Sequence, residues 1–134
     1  MEFELILSFL GFFLTATVLV VAFLYLYAIV TPYDDYNLIF KENNVAAALG
    51  FGGAIIGVSI PLYSALEHSV SYVDFAFWGV VAILVQLIFA FLVTRSGVKF
   101  SFTEKIEKGD VAVGILMAFL SIAIGLLNAG SMSY

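Results

Sequence analysis

Four long runs of apolar residues without charge alternate with short stretches that hold the charged residues. The uncharged runs cover residues 5–33, 45–66, 75–94 and 111–134. Each reaches the roughly 20 residues that an α-helix needs to cross a hydrocarbon core about 30 Å thick. One charge at the centre of such a helix costs about 2.5–3.5 kcal/mol. The pattern therefore predicts an all-α membrane protein, residues 1–134 forming one domain with spans at about 5–30, 45–66, 75–94 and 111–132.

Composition supports this prediction and excludes several classes of protein. The chain is 63% hydrophobic and 11% charged, whereas about a quarter of the residues of a soluble domain are charged. Glu2 and Glu4 stand where a signal peptide would carry basic residues, so the first run is interpreted as a span. The chain has no cysteine, which excludes disulfides. A net charge of −5 without a basic patch argues against a nucleic-acid partner.

The basic residues predict the orientation of the spans. All of them fall in the two loops 31–44 and 95–110: Lys41, Arg95, Lys99, Lys105 and Lys108. The positive-inside rule makes these loops cytoplasmic and places both termini outside. Aromatic residues are expected to form two interfacial belts. The inner belt holds Tyr25, Tyr27, Tyr33 and Tyr36, and the outer belt holds Tyr63, Tyr72, Trp78 and Tyr134.

The cytoplasmic loops contain helix-start signals. Pro32 ends the first span, and Asp34 or Asp35 is predicted to cap a short interfacial helix that carries aromatic residues. Asn43 or Asn44 is predicted to cap the second span, and Asp110 the fourth.

The stretches FKENNVA at 40–46 and IEKGDVA at 106–112 are similar. This similarity suggests two parallel helical-hairpin repeats, each with two spans.

Small residues form one face on each of two predicted spans. On the second span this face comprises Ala46, Gly50, Gly53, Gly57 and Pro61. On the fourth it comprises Gly114, Ala118, Ser121 and Gly125. Small residues allow helix backbones to approach closely in lipid. Packing within the chain is favoured, a contact between protomers in a homo-oligomer is the main alternative, and a water-filled path is a third. Pro61 is predicted to kink its helix and to free a carbonyl near Gly57.

Among the polar residues within the predicted spans, three mark a possible polar cavity: Ser59, Gln86 and Asn128. Hydrogen bonds between helices are favoured, and a cavity open to the outside is the alternative. His68 is interpreted as an exposed loop residue without a role. We expect no metal and no cofactor, because too few ligands come together. No catalytic motif is present in the sequence, so we expect the protein not to be an enzyme.

Several motifs in chain order resemble a known family. They are Thr31-Pro32, LI at 38–39, NNxAAxLxFxG at 43–53, GxxIPLxSA at 57–65, the stretch 74–79 ending in Trp-Gly, VQL at 85–87 and KIEKGDxA at 105–112. The pattern resembles the YjfL-like bacterial inner-membrane proteins, known as domain of unknown function 350. Asp110 stands where that pattern has Asn. The resemblance implies four spanning helices in the inner membrane and brings no reaction or substrate.

Two functions are consistent with these features. The sequence favours a homo-oligomeric channel or transporter-like assembly with a path between protomers, because one small protomer has little room for a pore. The alternative is a structural or accessory membrane protein that packs with itself or a partner and responds to membrane state without transport.

Overall fold

The computed structural model describes residues 2–96 and 101–132. Lys99 of the predicted basic loop and Tyr134 of the predicted outer belt lie outside these residues. The described residues form six helices and no strand: α1 Glu2–Val30, α2 Asp35–Phe40, α3 Val45–His68, α4 Tyr72–Thr94, α5 Phe102–Glu107 and α6 Val111–Ser131.

Four of these helices are long and apolar enough to cross a membrane: α1, α3, α4 and α6. The all-α class and the prediction of four membrane-spanning helices are therefore confirmed. The short helices α2 and α5 lie together at one end of the bundle, which we call the inner end, because the basic residues predict it to be cytoplasmic. The opposite end is the outer end. The predicted location of the termini stays a prediction.

The two connections at the inner end are built alike. Each has a six-residue helix followed by a residue with positive φ and then the N-cap of a span. The positive-φ residue is Asn43 (φ 52°) before α3 and Gly109 (φ 81°) before α6. Asn44 and Asp110 are the N-caps. This likeness fits the suggested hairpin repeat, which stays a prediction.

The helices α3 and α6 make the most extensive contact of the bundle. Both run from the inner to the outer end, so they pack in parallel. α4 packs against both, and α1 packs against α4 and α3. The apolar core lies where these helices meet and includes Phe23, Val58, Phe75 and Met117.

The helix α1 extends beyond the rest of the bundle at the outer end. Phe12 packs its ring against Tyr72, at the outer end of α4, with a centroid distance of 5.8 Å. At the inner end Arg95 donates to the carbonyl of Val30 at 2.9 Å. Residues 12–30 therefore run alongside α4, and residues 2–11 project roughly 15 Å further at 1.5 Å per residue. We call residues 2–11 the α1 extension; its side chains are all exposed.

Candidate functional site

The small residues of α3 and α6 face each other within one chain. A Cβ on Gly114 would lie 2.6 Å from the carbonyl oxygen of Ala46, and a Cβ on Gly53 would overlap the Cα of Ala118. A Cβ on Gly50 would lie 3.3 Å from Met117 Cγ. Between these helices any side chain larger than hydrogen at Gly53 or Gly114 would force the backbones apart. The structure thus uses both small-residue faces for packing inside the chain.

Pro61 and Gly125 both affect one carbonyl oxygen in the contact between α3 and α6. Pro61 lies inside α3 and is fully buried. Because proline has no N–H, the carbonyl of Gly57 four residues earlier lacks its normal partner within the helix. A Cβ on Gly125 would overlap this same oxygen, so one Cα hydrogen of Gly125 points at it. Such Cα–H···O contacts recur between closely packed helices. The carbonyl that the sequence predicts to be free therefore faces α6.

Polar groups at membrane depth are joined where α3, α4 and α6 meet. The Gln86 side chain donates to the carbonyl of Ser121 at 3.3 Å. The Asn128 side chain donates to Gln86 Oε1 at 3.3 Å and to the carbonyl of Ala82 at 3.2 Å. A Cβ on Gly57 would lie 2.9 Å from the Gln86 amide nitrogen, so the glycine also makes room for this side chain.

Ser59 does not join this network. It is exposed on the lipid-facing side of α3 and donates to the carbonyl of Ile55 at 2.7 Å. The predicted polar cavity of Ser59, Gln86 and Asn128 is therefore not brought together, because Ser59 points away from the other two. Gln86 and Asn128 form the helix-to-helix hydrogen bonds that the sequence favoured.

The caps hold the inner end of the bundle. Asp34 accepts from the backbone N–H of Asn37 at 3.1 Å, and Asp110 accepts from that of Val113 at 3.4 Å. Asn44 accepts from Ala47 N–H at 3.0 Å, and its amide donates to the carbonyl of Ile106 at 2.7 Å. Asn44 therefore both starts α3 and ties it to α5.

A buried polar cluster at the inner end was missed by the sequence analysis. Asp35, considered there only as a possible cap, is 1% exposed. Its carboxylate accepts a hydrogen bond from the Thr31 hydroxyl, and its other oxygen, Oδ1, has no partner among the described residues. Burial raises the pKa of Asp35 to about 7, helped by the charge of Asp34 and opposed by the Thr31 hydrogen bond. We call Tyr27, Thr31, Tyr33 and Asp35 the inner polar cluster.

A signal for this cluster was present in the sequence. Asp35 and Leu38 are three residues apart and so share one face of α2. Leu38 is buried, and the apolar character of that position predicts that Asp35 turns toward the protein as well.

The outer loop shows no comparable cluster. His68 is about half exposed and lies 4.0 Å from Glu67, and its ring nitrogen Nδ1 lies 3.0 Å from the carbonyl of Ser64. Within residues 2–96 and 101–132, no three His, Asp or Glu side chains come together as a candidate metal site.

Comparisons with known proteins agree with the membrane architecture. The family model described as Domain of Unknown Function (DUF350) matches residues 1–132. The chain is 36% identical over 132 residues to the UPF0719 inner membrane protein YjfL of Escherichia coli K12, with 96% of each chain covered. It is 25% identical over 119 residues to the UPF0719 transmembrane protein YshE of Bacillus subtilis, with 89% of this chain and 88% of that protein covered. No solved structure matches.

Proposed function

The chain belongs to the YjfL-like inner-membrane family, Domain of Unknown Function (DUF350), and from this premise and its geometry we propose that it is an accessory membrane protein that assembles with itself through α1. It is a multi-pass protein of the inner membrane, in contact with lipid on its apolar faces. The proposal assigns it no transport and no enzymatic activity.

The observation that carries the proposal is the α1 extension. Residues 12–30 already span about 28 Å, close to the thickness of the hydrocarbon core. Glu67 and Asp74 mark the outer boundary of the other helices. We place the α1 extension beyond that boundary, in water, which ends the first span near Phe12 instead of the predicted residue 5. No other part of the described chain covers the extension: Phe3 is 70%, Leu5 68% and Phe9 62% exposed. Exposure of apolar side chains to water costs about 25 cal/mol per Å² of apolar surface. A second copy of the chain exposes the same apolar surface. Packing of two α1 extensions against each other would therefore remove both surfaces from water.

The proposal includes no transport because the polar groups at membrane depth already have partners within the protomer. Gln86 and Asn128 bind each other and the backbone of neighbouring helices. The small residues of α3 and α6 pack against each other within the protomer. These groups stabilise the protomer and leave the α1 surface as the place for assembly.

The interfacial helix α2 supports a response to the membrane. Tyr36 and Phe40 are 44% and 75% exposed, and their rings stack at 6.5 Å. Leu38 on the other face is buried. An amphipathic helix with aromatic side chains on its outer face lies in the headgroup region and is sensitive to lipid composition.

The test is the native mass of the protein in lipid nanodiscs. We expect a discrete homo-oligomer for the natural chain. The double variant Ile6→Gln/Phe9→Gln should shift the mass toward the monomer, because it makes the α1 extension polar. Ser8→Gln is the matched control: it adds the same amide to the same segment without removing an apolar side chain, and should keep the oligomer. A monomeric natural chain would refute assembly through α1.

A homo-oligomeric channel or small transporter is a second candidate, favoured by one groove. The groove lies between α1 and α3, has a volume of about 210 Å³ and includes the hydroxyl residues Thr17 and Ser59. Each hydroxyl donates to a carbonyl of its own helix, at 2.9 Å and 2.7 Å, so neither needs another partner. Ion flux into liposomes containing the protein, above that of empty liposomes, would favour this candidate over the first.

A further inference from the structure

Around the Thr31 hydroxyl, the inner polar cluster has more hydrogen-bond acceptors than donors. Pro32 has no N–H, so the carbonyl of Ala28 lacks its normal helical partner. The Thr31 hydroxyl lies 3.4 Å from this oxygen and 3.4 Å from the carbonyl of Tyr33, and it also contacts Asp35 Oδ2. One hydroxyl hydrogen therefore faces three acceptors.

Two tyrosines complete the cluster. Tyr27 is 1% exposed and Tyr33 is 6% exposed. The Tyr27 hydroxyl lies beside that of Tyr33, and within the described residues it makes no hydrogen bond of normal geometry. Burial and the charge of Asp35 raise the pKa of Tyr33, so this tyrosine is neutral. A buried polar atom without a partner is unfavourable by about 1–3 kcal/mol.

The charged groups around Asp35 do not compensate its negative charge. Asp34 is its neighbour in sequence, and Glu107 of α5 acts on Tyr33. The titratable side chains of α3 are at its outer end. On α4, Arg95 is engaged with the carbonyl of Val30 and lies 4.1 Å over the ring of Phe91. Among the residues that the structure describes, no Lys or Arg forms an ion pair with Asp35.

We propose that the inner polar cluster is a proton-binding site that holds α2 against the inner end of the bundle, where α2 packs on α3, when Asp35 is protonated, and that weakens this docking when Asp35 is ionised. The added proton supplies the missing donor. A protonated Oδ2 donates to the Thr31 hydroxyl, whose own hydrogen is then free for the carbonyl of Ala28. The inference does not depend on the proposed function, because it concerns the position of α2 in any assembly.

The direction of the pH effect follows from the two states of Asp35. Its pKa is about 7 when α2 is docked and returns to about 3.9 when α2 is released into water. The docked state therefore binds the proton more tightly. Docking is strongest below about pH 4 and weakens as the pH rises, by up to about tenfold per pH unit. Above about pH 7 both states are ionised, and the docking equilibrium no longer changes.

The test measures α2 position and the Asp35 carboxyl in the full-length protein in nanodiscs. The chain has no cysteine, so spin labels attach only at introduced sites; Tyr25→Cys on α1 and Phe40→Cys on α2 are both exposed positions. We expect the fraction with a long label distance to rise between about pH 5 and about pH 7 and then to stay constant. Infrared spectra of the unlabelled protein should show a protonated-carboxyl band that disappears with a midpoint near pH 7.

Two variants separate the proposal from a merely structural role. Asp35→Asn keeps a neutral acceptor for Thr31, so α2 should stay docked at every pH and the infrared band should be absent. Asp34→Asn keeps the cap of α2 and should keep the pH dependence, with a lower midpoint because a negative charge is removed. Label distances that do not change with pH in the natural chain would overturn the proposal. So would a pH dependence that persists in Asp35→Asn.

Discussion

Gly125→Ala is the substitution that most directly tests the α3–α6 contact. The new Cβ would overlap the Gly57 oxygen and lie 2.9 Å from the Gly57 carbonyl carbon and 3.0 Å from its Cα, whereas ordinary contact begins near 3.4 Å. The two helices must therefore separate by roughly 0.5–1 Å, which forfeits a quarter to a half of the attraction of each contact along them. Overpacking of this kind costs about 1–3 kcal/mol, and a lost Cα–H···O contact adds about 0.5–1 kcal/mol. We expect a loss of about 2–3 kcal/mol.

The matched control is Gly130→Ala on the same helix. A Cβ at Gly130 meets nothing within 4 Å, and the same holds for Gly52 on α3. Alanine is the better helix former by up to about 1 kcal/mol, so both controls should be neutral or slightly stabilising. The difference between Gly125→Ala and Gly130→Ala then measures the helix contact separately from helix propensity.

Unfolding by a denaturing detergent in mixed micelles provides the assay. The chain has one tryptophan, Trp78 on α4, whose fluorescence reports tertiary structure while circular dichroism reports helix content. The free energy of unfolding is compared among the three variants. If Gly125→Ala and Gly130→Ala agree within about 0.5 kcal/mol, the close approach of α3 and α6 is refuted.

The cost of Gly125→Ala can also be measured in a chain that carries Pro61→Ala, which tests the role of Pro61. In Pro61→Ala the restored N–H satisfies the Gly57 carbonyl within α3, so separation of the helices no longer leaves this oxygen without a partner. Gly125→Ala should then cost about 1 kcal/mol less than in the natural chain. Equal costs in both backgrounds would show that the contact is only steric.

The remaining predictions concern the polar contacts and use the same unfolding assay. Gln86→Leu should destabilise by about 1–2 kcal/mol because it leaves the Asn128 amide underpaired, and Gln86→Leu/Asn128→Leu should cost less than the sum of the single variants. Asn44→Ala should cost about 1–2 kcal/mol, since it removes both the cap of α3 and the bond to Ile106, whereas Asn44→Asp should recover the cap alone. Ser59→Ala should be within about 0.5 kcal/mol of the natural chain, and a larger loss would mean that this hydroxyl has a partner beyond its own helix.

The spans could be predicted from the sequence because the signal is local. A charge within a span carries its penalty whatever the tertiary structure is, so the gaps between charges mark the helices. The caps are equally local, since an N-cap side chain binds an N–H two or three residues away. For these reasons Asp34, Asn44 and Asp110 could be named before any helix was placed in space.

The partner of the glycine face could not be predicted in the same way. The spacing of Gly53 and Gly57 indicates a close contact, but the choice between a helix of the same chain and a helix of another protomer depends on tertiary structure. Because the structure buries both residues against α6, larger side chains there would damage the fold of the protomer. The native mass of such variants is therefore a poor test of assembly, and the exposed α1 extension is the better one.

Asp35 was missed because its environment depends on residues from several segments. Sequence position alone offered two adjacent aspartates, and either one fits a cap. Burial of the second requires α2 to pack against α3, where Leu38 of α2 joins Ala46 and Ala47 of α3 in one apolar cluster. The distribution of charges along the sequence places Asp35 in an interfacial loop, although its side chain lies inside the protein.

The two prolines show how the outer and inner parts of the bundle differ. Pro61 and Pro32 each leave a carbonyl without its helical N–H. In the bundle core the Gly57 carbonyl faces a Cα hydrogen of Gly125, which is bound to carbon and does not titrate. At the inner end the group near the freed carbonyl is the Thr31 hydroxyl, which is shared with the ionisable Asp35. The core contact therefore contains no titrating group, whereas we propose that docking of α2 depends on one proton. Any response of this protein to pH at the inner end should therefore originate at α2 and leave the α3–α6 pair unchanged.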